Sequence, residues 1–273
     1  MTSHAHVGTV PQPPACPGAR RSRNKLTAAR TARRLAALAA PVPLLLACAA
    51  AASAVPAAPR PPAATRGGPA QAGNNNFSQA WYLVRPSATS VSARFTVPKL
   101  ACPARGTLGI RPGVELSTSI GSHPTEAAVE VLCQKGNPVY LATAIVNDTE
   151  DGLPVTVKAG DTMAVSATET ATASRASVAD LTQRSSVAVQ AGSGARHLEA
   201  FVGDDALVQA PGGRLLGVPP FGTITFHAAK VDGHALGASD PTAVNRVLLG
   251  ILRIRTGPLS SAGTSFATTF KHT

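Results

Sequence analysis

Between Phe77 and Phe270 no ten-residue segment repeats its apolar residues with a helical period. What recurs is short runs of β-branched and aromatic residues alternating every second position, parted by Gly, Pro, Asn and Asp. That pattern restricts the region to an all-β structure. In residues 219–226, Pro-Pro-Phe-Gly-Thr-Ile-Thr-Phe, the prolines end a turn and a strand follows. Phe221, Thr223 and Thr225 fall on one side of it and Ile224 and Phe226 on the other, which predicts cover on both faces. Far upstream, residues 91–98 alternate Val91, Ala93, Phe95 and Val97 on one face. Two such strands remote in sequence predict a layered structure closed by long-range pairing.

Applied along the chain, the same reading predicts strands over 81–84, 90–97, 127–132, 139–146, 162–169, 175–180, 186–190, 198–202, 223–229, 247–255 and 266–270. Asp or Gly stands where the chain must reverse, in Lys158-Ala159-Gly160-Asp161, Asp180-Leu181-Thr182 and Val231-Asp232-Gly233. About 195 residues suffice for one two-sheet antiparallel sandwich around a single core. The expected organisation is therefore a β-sandwich domain over 77–273.

The N-terminal fifth differs. Residues 20–34 hold seven basic groups, no acidic residue precedes Glu115, and residues 35–52 are nearly all Ala and Leu. A basic segment, an apolar one broken by Pro41 and Pro43, and Ala52-Ser53-Ala54 before Val55 have the form of a signal peptide over 1–54. The two prolines and the weak apolarity argue against a membrane anchor. Thr31-Ala32-Arg33-Arg34-Leu35 is a partial twin-arginine pattern. Leu45-Leu46-Ala47-Cys48 approaches a lipobox, but bulky Leu46 disfavours lipidation of Cys48. Residues 55–76, rich in Ala, Pro, Gly and Asn, read as a flexible linker. The expectation is a secreted or extracellular protein, monomeric, with no stable membrane span in its mature form.

Without the leader, 18 basic residues face 14 acidic ones, a net charge near +4 instead of +11. No basic run with interleaved aromatics remains, which argues against a nucleic-acid partner. Of the four cysteines, Cys16 and Cys48 lie in the leader. Cys102 and Cys133 remain, a plausible disulfide in an exported protein, worth about 3 kcal/mol by loop closure, with two buried thiols as the alternative. His123, His197, His227, His234 and His272 show no ligand spacing, so no metal or cofactor is expected.

The order Asn76-Phe77-Ser78, Val91-Ser92-Ala93-Arg94-Phe95-Thr96-Val97-Pro98, Pro138-Val139-Tyr140, Val157-Lys158-Ala159-Gly160-Asp161-Thr162, Leu198-Glu199-Ala200-Phe201-Val202 and Phe221-Gly222-Thr223-Ile224-Thr225-Phe226 resembles the secreted glutamic peptidases, the eqolisins, over residues 76–270. The resemblance implies two curved antiparallel sheets, lectin-like, and acid endopeptidase chemistry on a concave face. There a Glu activates water and a Gln amide stabilises the oxyanion. The family Glu falls on Glu199, and the second acidic residue of its motif on Gly203. The Gln position falls near Glu126, where no Gln stands, and the aromatic segments of the family are replaced at 107–110 and 141–147. A protonated carboxyl can donate where a carboxylate cannot, so a Glu126/Glu199 pair is the candidate catalytic set.

Other readings stand beside these. Pro124-Thr125-Glu126 has the composition of an exposed turn, Glu130 is a register-shifted alternative to Glu126, and Gln134 falls in a turn with Lys135-Gly136-Asn137. Trp81 reads as a core residue, Asp204-Asp205 as a solvated turn, and His197 and His227 lack a nucleophile beside them. Asn147-Asp148-Thr149 is a glycosylation sequon. The leading expectation is a diverged acid endopeptidase taking a protein or peptide substrate. The alternative is a catalytically inactive extracellular β-sandwich binding module for some other ligand.

Overall fold

A computed structural model describes residues 79–118, 124–192, 198–209 and 214–272. The leader, the linker and His197 lie outside the described residues. In chain order the strands are β1 Ala80–Ala88, β2 Ser90–Thr96, β3 Thr107–Ser117, β4 Thr125–Gln134, β5 Asn137–Val146, β6 Thr149–Gly152, β7 Thr162–Glu169, β8 Ala173–Asp180 and β9 Ser185–Gly192. They continue with β10 Leu198–Ala206, β11 Val208–Gln209, β12 Arg214–Leu215, β13 Thr223–Val231, β14 His234–Ala235, β15 Thr242–Val244, β16 Arg246–Leu248, β17 Ile251–Thr256 and β18 Phe266–Phe270. A short 3-10 turn, Leu236–Ser239, follows β14.

These strands form a two-sheet antiparallel β-sandwich. One sheet has seven strands in the order β15-β1-β10-β3-β4-β5-β6. The other has nine, β16-β17-β18-β13-β2-β7-β8-β9, with β14 beside β13. The two runs from which the layering was inferred are direct neighbours, with Phe226 opposite Phe95 and Val231 opposite Val91. Each sheet turns one row of side chains inward. Tyr82, Val114, Leu116, Ala127, Val129 and Val131 on the seven-stranded side meet Val91, Phe95, Met163, Val165, Val178, Ile224 and Phe226 on the other. Fully burying each large side chain contributes about 1.5–3 kcal/mol. Phe226 stacks on Phe266 with ring centroids 4.9 Å apart, and Tyr82 meets Phe266 edge-on at 4.8 Å while its hydroxyl donates to the Gly257 carbonyl at 2.9 Å. The Cys102–Cys133 disulfide is formed, tying the chain before β3 to the end of β4.

Turn residues act as their chemistry predicts. Asp180 Oδ1 accepts the backbone N–H groups of Thr182 and Gln183 at 2.8 and 2.9 Å, and Asp161 Oδ2 accepts that of Lys158 at 2.7 Å. Four expectations change. Cover on both faces of β13 is overturned: Ile224 and Phe226 are buried while Thr223 and Thr225 are exposed, and Phe221 reaches the core because Gly222 at φ +75° breaks the alternation. The single strand over 247–255 is two strands, β16 and β17, reversed at Leu249 and Gly250 with φ of 51° and 76°. Residues 124–126 are no exposed turn, because Thr125 and Glu126 begin β4 and are buried, nor is Asp204-Asp205, which lies inside β10. The largest omission is β3, an eleven-residue central strand that contains Pro112 and Gly113.

Candidate active site

Strand β3 sits between β10 and β4, and its register fixes what shares the open face of the seven-stranded sheet. Glu199 is opposite Ser117, Phe201 opposite Glu115, Gly203 opposite Gly113 and Asp205 opposite Arg111. On the other side Glu115 is opposite Glu126 and Gly113 opposite Ala128. Because side chains alternate, Arg111, Gly113, Glu115, Glu126, Ala128, Glu130, Glu199, Phe201, Gly203 and Asp205 all belong to one face. Glu150 of β6 joins it opposite Ile145, which is opposite Glu126. Glu130 therefore shares the face of Glu126, four residues along the strand.

At Gly113 a Cβ would stand 2.6 Å from the Ala127 carbonyl oxygen. At Gly203, φ +155°, it would stand 2.4 Å from the Ala80 carbonyl oxygen. Only glycine admits such an approach. Beside these close approaches Trp81 packs on Phe201 with centroids 4.2 Å apart, in a small apolar cluster with Leu83 and Val244. Trp81 is thus buried on the open face and outside the main core.

Below these rings lies an acidic cluster. The carboxylate oxygens of Glu115, Glu126 and Asp205 are within 4.8 Å of one another, around a cavity of about 10 Å³, the size of one water. Arg111 Nη1 is 3.4 Å from Glu126 Oε2, and its Nη2 is 2.5 Å from both Glu130 Oε1 and Glu150 Oε1. Ala128, between Glu126 and Glu130, leaves the guanidinium room to reach both. Burial works against the charge of Arg111, but Glu126, Glu130 and Glu150 outweigh it and keep the guanidinium more firmly protonated than usual. Burial pushes the Glu126 carboxyl well above the usual range; Arg111 opposes this, while Asp205, Glu115 and Glu150 add to it. Asp205 is raised by burial as well, against the Ala206 N–H, whose nitrogen is 2.6 Å from Oδ1. Among the five carboxyls around this one cation, burial raises the pKa of Glu126, Glu150 and Asp205.

Glu199 stands apart from this cluster. It is half-buried and its Oε1 accepts from Arg85 Nε at 2.5 Å. Its backbone and that of Glu126 flank β3, roughly 10 Å apart across the sheet. Gln134 ends β4 and is exposed, Asn147 lies in the β5–β6 turn, and His227 is exposed on the other sheet. Arg111, Glu115 and Asp205 were not foreseen. The signal was available in the two-residue spacings of 111, 113 and 115 and of 126, 128 and 130, had β3 been recognised. Glu115, Glu126 and Asp205 are the described group able to offer oxygens to a metal ion. Arg111 supplies positive charge at the same place, so nothing there requires one.

Behind the face, Asp204 points into the sandwich, fully buried. Burial raises its pKa to about 7 against the opposing Thr268 hydroxyl and Arg246 guanidinium. Arg246 is itself 1% exposed and donates to the Leu216 carbonyl at 2.9 Å.

A β-sandwich with carboxyls assembled on one open sheet face defines the class to which comparison with known proteins then assigns the chain. The Peptidase A4 family profile matches residues 79–250, and the chain belongs to that family. Among solved structures it is similar to scytalido-glutamic peptidase with a transition state analog inhibitor (16% identity, TM-score 0.61) and to SCP-B, an eqolisin in a complex with the tripeptide Ala-Ile-His (15% identity, TM-score 0.56). Each likeness covers 72% of this chain and 100% of the other. No curated protein gives a significant match.

Proposed function

We propose that this protein is a secreted peptide-bond hydrolase active at acid pH, binding its substrate across the open face of the seven-stranded sheet. The observation that carries the reading is that Glu126 and Glu199 rise from the same face on strands flanking β3, in different environments. Glu126 is buried among carboxyls, which raises its pKa, and Glu199 is half-buried against Arg85. In this mechanism Glu199 takes a proton from a water whose oxygen attacks the scissile carbonyl carbon. The Glu126 carboxyl donates a hydrogen bond to the developing oxyanion, replacing an amide donor. Collapse of the tetrahedral intermediate breaks the C–N bond, and the proton held by Glu199 passes to the departing amine. The peptide ligands in the related structures support a peptide as occupant.

A second reading rests on Arg111. Its contact with Glu126 and the one-water cavity suit a sealed polar network, under which the same face binds peptides without cleaving them. Proteolysis of denatured casein by the purified protein across pH 2–7 separates the two. Cleavage below about pH 5 that Glu199→Gln and Glu126→Ala each abolish, with folding retained, is the expected result. Peptide binding without cleavage by the folded parent establishes the second reading.

A further inference from the structure

The outward face of the nine-stranded sheet carries a separate feature, independent of the proposed catalysis. Across β13, β2, β7, β8 and β9 the register aligns Lys230, Ser92, Ser166, Ser177 and Ala188 in one row. The next row holds Arg94, Ala164, Ala179 and Ser186, with His227 opposite Arg94. The members of these rows on β13, β2, β7 and β8, Lys230, Ser92, Ser166, Ser177, Arg94, Ala164 and Ala179, floor a trough of about 270 Å³ that runs across the strands. Its shape follows from short side chains and from a bulge in β13, where three steps from His227 to Lys230 oppose two on β2 and Ala228 turns to φ 49°.

Along its strands the charge on this face is positive, while exposed Asp232, in the turn after β13, accepts from the Thr89 and Ser90 N–H groups at one end. Arg94, Arg175, His227, Lys230 and Arg255 are exposed on these strands. The acidic residues within the sheet's described strands are Glu169 and Asp180, both buried at strand ends. The ion pairs among the described residues involve Arg85 and Arg111 of the opposite sheet. A solvated sheet face usually mixes signs.

We propose that this trough binds a linear acidic polysaccharide. Arg94 and Lys230 at one wall and Arg175 in the adjoining row engage its anionic groups, and the Ser92, Ser166 and Ser177 hydroxyls bond its hydroxyl and ring oxygens. Guanidinium forks match carboxylate and phosphate oxygens in pairs, which selects for charged polymers over neutral ones. The floor lacks the aromatic rings on which nucleic-acid bases stack, and its cations are too sparse to track a duplex backbone. Across the four strands β13, β2, β7 and β8 the trough is about 14 Å long and lies at right angles to the strands.

The test compares the full chain with the triple variant Arg94→Ser, Arg175→Ser, Lys230→Ser. A charge-matched control, Lys99→Ser, Arg105→Ser, Lys135→Ser, removes exposed cations elsewhere. Probes are polygalacturonate for carboxylate, dextran phosphate for phosphate, neutral dextran and double-stranded DNA, with affinity read by calorimetry at two salt concentrations. The expected result is polygalacturonate or phosphate-polymer binding that weakens with salt and falls at least about tenfold in the face variant while the control stays within about twofold. Which acidic polymer binds identifies the anionic group. No binding by the parent, equal loss in both variants, or preference for neutral dextran or DNA would overturn the proposal.

Discussion

The two sheets share one core but treat their outward faces in opposite ways. The nine-stranded sheet alternates apolar-in and polar-out, and its outer residues are short, neutral or basic and open to water. The seven-stranded sheet keeps ionisable groups out of water: Glu115, Glu126 and Asp205 beneath Trp81 and Phe201, Arg111 among them, and Asp204 on the core side. Side chains that cost nothing to solvate place no demand on their neighbours. Buried carboxyls must share protons or find a cation, so the seven-stranded sheet is sensitive to pH and to single substitutions, and the other is not.

The sharpest way to break this contrast is to remove the cation. Arg111→Ala strands Glu126, Glu130 and Glu150 without their counter-charge, and we expect a loss of about 3–5 kcal/mol at pH 7, shrinking at pH 4 as Glu126 and Glu150, whose pKa values burial raises, take up protons. Chemical unfolding at the two pH values checks it, and an equal loss at both would mean that packing, not charge, is at stake. Next comes Asp204. Its folded pKa, about 7, lies above its ordinary value of 3.8, so its contribution is fully present below pH 3.8 and is lost as pH rises through 7. Glu126 and Asp205 act in the same direction. Thermal unfolding should therefore show higher stability near pH 4–5 than at pH 8, and Asp204→Asn should flatten that decline by a few kcal/mol, on the order of 2–4. An unchanged profile in the variant would remove Asp204 as the cause.

Smaller effects sharpen the comparison. Opening the disulfide with Cys102→Ser and Cys133→Ser together should cost about 3 kcal/mol, since it closes a loop spanning 31 residues. Gly113→Ala, which sets a methyl against β4 at 2.6 Å, should cost about 1–3 kcal/mol and impair any activity of the open face. On the other sheet, Ser166→Thr or Ser177→Thr should change stability by no more than about 0.5 kcal/mol. A large effect there would show that the nine-stranded face is under constraint as well.

Legibility in the sequence followed the same division. Strands β7 and β18 were read to the residue and β2, β5 and β13 to within two, because one buried face imposes alternation that a reader can see. Strand β3 escaped for the opposite reason. Pro112 and Gly113 argue against a central strand, and Arg111 and Glu115 look like solvated positions. Without β3 the partners of Glu126 could not be found. The β16–β17 hairpin was read as one strand because Leu249-Gly250 carries only half of the usual turn signal.

By itself the sequence determined the all-β class, the inward row of β2, the turn chemistry of Asp161, Asp180 and Asp232, and membership of a lineage whose motifs survive in order. These are local or pairwise properties, governed by backbone propensity and the two-residue period. Only the tertiary structure decided that Glu115, Glu126 and Asp205 surround one cavity, that Arg111 reaches three glutamates, and that Asp204 and Asp205, adjacent in the chain, face opposite sides of a sheet. Such facts depend on the register between strands distant in sequence and on how much water the fold excludes. Burial, which no single residue carries in its identity, is what raises the pKa of Glu126, Glu150 and Asp205.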